Sequence, residues 1–65
     1  MKKETKTYSV FLKYDDRESE SFMEMKSESL ADVMMAARGW LMCSLTATRV
    51  VVYDEEGCDV ASYVK

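Results

Sequence analysis

Histidine does not occur in this sequence, and its absence removes the commonest metal ligand and the commonest acid–base catalyst at neutral pH. Without it neither the usual zinc patterns nor a Cys–His pair can be assembled. Proline is missing too, and glycine occurs only at Gly39 and Gly57, so no linker or low-complexity segment divides the 65 residues. Two cysteines, Cys43 and Cys58, are too few for a disulfide framework. No apolar run approaches the roughly 20 residues a membrane helix needs. The start, MKKETKTYSV, has charge without a following apolar run, unlike a secretory signal. A cytoplasmic protein with two reduced thiols is the expectation; a mature secreted domain whose signal has been removed is the alternative.

Size turns these absences into an argument. A domain this short buries only about 60% of the surface its unfolded chain exposes. With disulfide and zinc staples set aside, oligomerisation is the leading way to add buried area. The 9 basic residues against 12 acidic ones leave a net charge of −3, which disfavours phosphate backbones and anionic lipid as partners.

What is present reads as alternating strands around one helix. From Thr7 to Tyr14 polar and apolar residues alternate, with Tyr8, Val10, Leu12 and Tyr14 on one face and Thr7, Ser9, Phe11 and Lys13 on the other. A second strand runs near Ser19 to Lys26, with Met23 and Met25 inward and Phe22 outward. A tight turn at Asp16-Arg17 would set Val10 opposite Met23, Tyr8 opposite Met25, Phe11 opposite Phe22, and Lys13 opposite Glu20 as a charge pair. Ser29-Leu30-Ala31-Asp32 resembles a capping box, with the Ser29 hydroxyl able to accept from an orphan amide. Leu30, Val33, Met34, Ala37, Trp40 and Leu41 then form one helical stripe that ends near Ser44, or earlier at Gly39.

Thr48 to Asp54 is rich in β-branched residues and reads as a third strand. Asp54-Glu55-Glu56-Gly57 fits a three-residue hairpin loop with its glycine in the left-handed region. That loop pairs Val52 with Val60, Val50 with Ser62 and Thr48 with Val64 toward the helix. Arg49, Val51, Tyr53, Ala61 and Tyr63 then point to the other face. The whole is a single α+β domain over residues 1–65, ββαββ, with one helix on one face of a four-stranded, mostly antiparallel sheet. In size and element order it resembles the immunoglobulin-binding domains of protein G and minimal ubiquitin-like folds. This β-grasp-like arrangement implies strand order 2-1-4-3; an all-antiparallel order 2-1-3-4 is the alternative, because the third strand is apolar enough to be central. The resemblance is architectural, with no shared residue motif, so it implies no binding residue.

Neither thiols nor carboxylates make a catalytic site in this pattern. Cys43 ends the helix and Cys58 follows the far end of the third strand, roughly 20 Å away, beyond disulfide reach. Asp15, Asp16, Glu18 and Glu20, and likewise Asp54, Glu55, Glu56 and Asp59, gather at convex hairpin turns with no wall to exclude water. The calcium-loop spacing is not met. No cofactor, metal or catalytic residue is assigned.

Apolar residues outside the core are more informative. Phe11, Phe22, Tyr53 and Tyr63 are expected on the uncovered sheet face, and Met35 and Met42 on a helix flank with little charge around it. Aromatics on a sheet can stack bases, but here Lys13, Lys26 and Arg49 are matched by Glu20 and Glu24, and no RNP-like motif occurs. The reading is a non-catalytic protein-interaction domain that forms a homodimer or docks on another protein through one of these surfaces. The alternative is a small acidic inhibitor or regulator that occupies a basic, nucleic-acid-binding surface of another protein through its carboxylate turns.

Overall fold

The computed structural model describes residues 4–15 and 18–65. Its elements follow in the order β1 (Lys6–Tyr14), β2 (Glu20–Ser27), α1 (Leu30–Cys43), β3 (Ala47–Tyr53) and β4 (Asp59–Val64). The α+β, ββαββ class expected from the periodicity is the class observed. Among the described residues no helix is long and apolar enough to cross a membrane.

The first hairpin has the expected register. Tyr8 faces Met25, Val10 faces Met23, Phe11 faces Phe22 and Lys13 faces Glu20, with no irregularity along β2. The Lys13 Nζ donates to Glu20 Oε2 at 2.6 Å, and the hydroxyls of Tyr14 and Ser21 pair at 2.7 Å. The tight turn assigned to Asp16-Arg17 lies outside the described residues.

Ser29 is the N-cap of α1 as its sequence position suggested, but its side chain makes no capping hydrogen bond. The hydroxyl that serves the turn belongs to Ser27, whose Oγ lies 3.1 Å from both the Ser29 amide and the Ser29 carbonyl. Asp32 places a negative charge in the first turn, where the helix dipole favours it. Gly39 does not end the helix, which continues to Cys43. Val33, Ala37 and Leu41 form its buried stripe, with Leu30 and Trp40 half-buried at the margins.

The preferred strand order is corrected, and the all-antiparallel alternative 2-1-3-4 is the one observed. The sheet runs β2-β1-β3-β4, all neighbours antiparallel, and not in the β-grasp order 2-1-4-3. Burial explains why. Val50, Val51 and Val52 are all buried, so β3 needs cover on both faces and a neighbour on both sides. β4, six residues long with exposed Asp59, Ser62 and Val64, suits an edge. The helix therefore carries the chain from β2 across β1 to β3, which runs parallel to β2 with β1 between them.

The second correction concerns β4. The Asp54–Gly57 loop forms as expected: Gly57 adopts φ 84°, its amide donates to the Asp54 carbonyl at 3.1 Å, and the Asp54 amide donates to the Cys58 carbonyl at 3.0 Å. Tyr53 then faces Asp59, which continues the expected register. Beyond that pair the register shifts by one, so that Val52 faces Ala61, Val51 faces Ser62 and Val50 faces Tyr63. Val60 is the extra residue of a β-bulge, and one extra residue exchanges the two faces of everything that follows. Ala61 and Tyr63 therefore pack against the helix-side core, whereas Val64 is exposed. The expected pairs Val52–Val60, Val50–Ser62 and Thr48–Val64 do not occur.

Between helix and sheet lies one apolar cluster of Tyr8, Val10, Leu12, Val33, Ala37, Leu41, Ala47, Val50 and Val52. Among the described residues no buried side-chain nitrogen or oxygen lacks a hydrogen-bond partner, so the cluster carries no polar penalty.

Candidate functional site

The sheet face away from α1 is built by residues two apart on three strands. Phe11 is the centre of it. The cross-strand partner Phe22 stands with its ring centroid 5.0 Å away, and Tyr53, one diagonal further along β3, meets Phe11 edge-on at 5.5 Å. Both separations fall in the range where aromatic pairs attract beyond the area they bury. Val51, opposite Phe11 on β3, is only 7% exposed although no helix covers this face.

Charge closes one end of the row. Lys13 Nζ lies 5.4 Å from the Phe11 centroid, a cation–π distance, while it also bonds Glu20. Next to it a shallow, open depression of about 520 Å³ is bounded by Phe11, Lys13, Tyr53 and Glu55. It is open to solvent along its length.

Of the six interface candidates, Phe11, Phe22 and Tyr53 are brought together. Phe22 is the outermost and is 56% exposed. Tyr63 is not part of this face; the bulge at Val60 places it against the core on the opposite side. Met35 and Met42 are 74% and 61% exposed on α1, two helical turns apart. Leu45, just after the helix, is 99% exposed and was not among the candidates. It lies outside any periodic segment, so no alternation or helical spacing marks it.

The second hairpin tip carries carboxylates as expected and groups potential cation ligands; Asp16 of the first cluster lies outside the described residues. One ligand atom each of Asp54, Glu56 and Cys58 lies within 4.8 Å of the others. Asp54, however, already has a structural role: its Oδ1 accepts from the Glu56 amide at 2.9 Å and from the Cys58 amide at 3.0 Å. Asp54→Ala is expected to lower stability by about 1–2 kcal/mol, and Asp54→Asn, which keeps an acceptor oxygen, by less than half of that. Urea unfolding of the two variants measures this; equal losses would assign the effect to charge instead of to hydrogen bonding. Cys43 and Cys58 are both exposed and unpaired, one in the last turn of α1 and one beside Gly57.

Comparison with protein-family models, with curated proteins and with solved structures finds no match to this chain, so any reading of function starts from the surfaces just described.

Proposed function

We propose that this chain is a non-catalytic protein-interaction domain that self-associates, with Phe22, the exposed end of the Tyr53–Phe11–Phe22 row, at the contact. One observation carries the reading: a contiguous aromatic row lies on the sheet face that α1 leaves uncovered, and its outermost ring is more than half exposed. Isolated exposed apolar side chains are ordinary on a small domain. A row of tilted and edge-on rings ending in a wet phenylalanine is a patch, and patches of this kind mark contact surfaces. The domain's size supports the same reading. A core of this extent supplies only about 3–5 kcal/mol in chains below roughly 70 residues, and a second copy adds buried area without new sequence.

Sedimentation velocity over a concentration series from about 1 µM upward tests the proposal. The wild type is expected to pass from monomer to dimer, and Phe22→Glu to remain monomeric with an unchanged circular dichroism spectrum, since Phe22 takes no part in the helix-side core. The thermal midpoint of the wild type should rise with protein concentration, as mass action requires of an associating fold. A wild type that stays monomeric up to several hundred micromolar, or a Phe22→Glu variant that dimerises equally well, would sink the reading.

A further inference from the structure

The sheet has two edges, and they differ. β4 is six residues long and bulged, and a bulge twists an edge away from a flat partner. β2 is eight residues long and pairs with β1 in unbroken register throughout. Among the described residues no backbone group from Glu20 to Ser27 has a backbone partner beyond β1. Alternate amides and carbonyls of β2 therefore point outward along a straight, proline-free strand. Such an edge is a template for another strand unless its side chains forbid the pairing.

The side chains select one pairing. Two copies of an edge strand related by a two-fold axis run antiparallel. Opposed residues in an antiparallel ladder either both exchange hydrogen bonds or neither does. Because the outward groups fall on alternate residues, each residue can face only one an even number of positions away, and the axis passes through a residue. An axis at Phe22 sets Glu20 against Glu24 of the second copy. An axis at Glu24 sets that carboxylate against itself. Both put like charges directly opposite, which is destabilising. An axis at Ser21 overlaps only Glu20 to Phe22, and one at Met25, which sets Glu24 opposite Lys26, overlaps only Met23 to Ser27. An axis at Met23 overlaps the strands from Glu20 to Lys26 and sets Glu20 opposite Lys26 of the second copy, twice by symmetry.

We infer that two copies join β2 to β2 about an axis at Met23, forming one continuous sheet of eight strands. This rests on the self-association reading above and names its geometry. Both helices then lie on one face of the joined sheet, where Met23 meets Met23 of the second copy. On the other face Phe22 stands diagonal to Phe22 of the second copy, about 7–8 Å apart at the backbone and within reach of aromatic rings. The two rows Tyr53–Phe11–Phe22 become one, and the exposed ring sits at its middle. Glu20, already bonded to Lys13, gains a second lysine from across the axis. Lys26, which would otherwise guard the edge against pairing, becomes the residue that sets its register.

Charge reversal tests both the surface and the register. Glu20→Lys sets lysine against lysine in its own dimer, and Lys26→Glu sets glutamate against glutamate. Each variant alone is expected to dissociate about tenfold more readily than the wild type, or weaker still. Mixed in equal amounts the two are complementary at both positions, and dimers should return as heterodimers, visible by native mass spectrometry. Amide exchange gives a second readout free of mutation: alternate β2 amides of the wild type should become protected only at concentrations where the dimer forms. Single variants that dimerise like the wild type, or a mixture that stays monomeric while the wild type dimerises, would overturn the β2 pairing and leave self-association standing. A wild type that never dimerises would overturn both.

Discussion

Leu41→Ala is expected to lower the thermal midpoint by roughly 10–30 °C, the largest effect of any single truncation in α1. Leu41 is 1% exposed and belongs to the cluster with Val10, Leu12, Val33, Ala37, Val50 and Val52. Removing a buried leucine side chain loses its transfer energy and leaves a cavity that the surroundings close only in part, about 2–5 kcal/mol together. The whole domain has about 3–5 kcal/mol to lose, and in a chain of this length each kilocalorie moves the midpoint by roughly 4–8 °C. Ala37 cannot fill the gap from the same stripe. Circular dichroism melts at fixed protein concentration measure the loss, the concentration being held because association would shift the midpoint as well. A shift of only a few degrees would mean that α1 is not anchored to the sheet through this residue.

Tyr63→Ala is expected to destabilise the fold by about 1–3 kcal/mol, whereas Ser62→Ala next to it should stay within about 0.5 kcal/mol. The asymmetry follows from the bulge. Val60 takes up an extra position in β4, so Tyr63 faces Val50 and packs on the helix-side core while Ser62 faces Val51 on the open side. In an unbulged hairpin the two residues would exchange faces: Tyr63 would join Phe11 and Tyr53, and Ser62 would sit beneath the helix. Paired urea titrations of the two variants thus read the register of β4 directly. Tyr63 is only half-buried, which holds its loss below that of a fully buried aromatic. A neutral Tyr63→Ala would return the residue to the open face and remove the bulge.

These two residues mark the boundary between local and long-range information. Leu41 is recognisable as core because a helix repeats every 3.6 residues, and Leu30, Val33, Ala37 and Leu41 keep that spacing whatever they pack against. The same holds for the first hairpin: the alternation of β1, the charge pair Lys13–Glu20 and the facing of Phe11 by Phe22 follow from a period of two and one short turn. The Asp54–Gly57 loop is equally local, since a glycine after two acidic residues suits the positive φ that the turn requires.

By itself, then, the sequence determined the element order, the helix stripe, the first register, the loop chemistry and the lack of any histidine-based site. Three matters were decided only in the tertiary structure. Strand order depended on whether β3 or β4 lies beside β1, and both have enough apolar residues for either place; burial of three consecutive valines on both faces of β3 is a property of the packed sheet. The bulge at Val60 has no local marker, because Val60 and Ala61 carry no glycine or proline to signal it, and it shows only in the pairing of β4 with β3, which puts Tyr63 against the core. The aromatic row owes its membership to that same bulge, which subtracts Tyr63 from the open face and leaves Phe11, Phe22 and Tyr53 to form it. A period of two carries no memory of an inserted residue, so the face of every side chain beyond it is known only once the strand is paired.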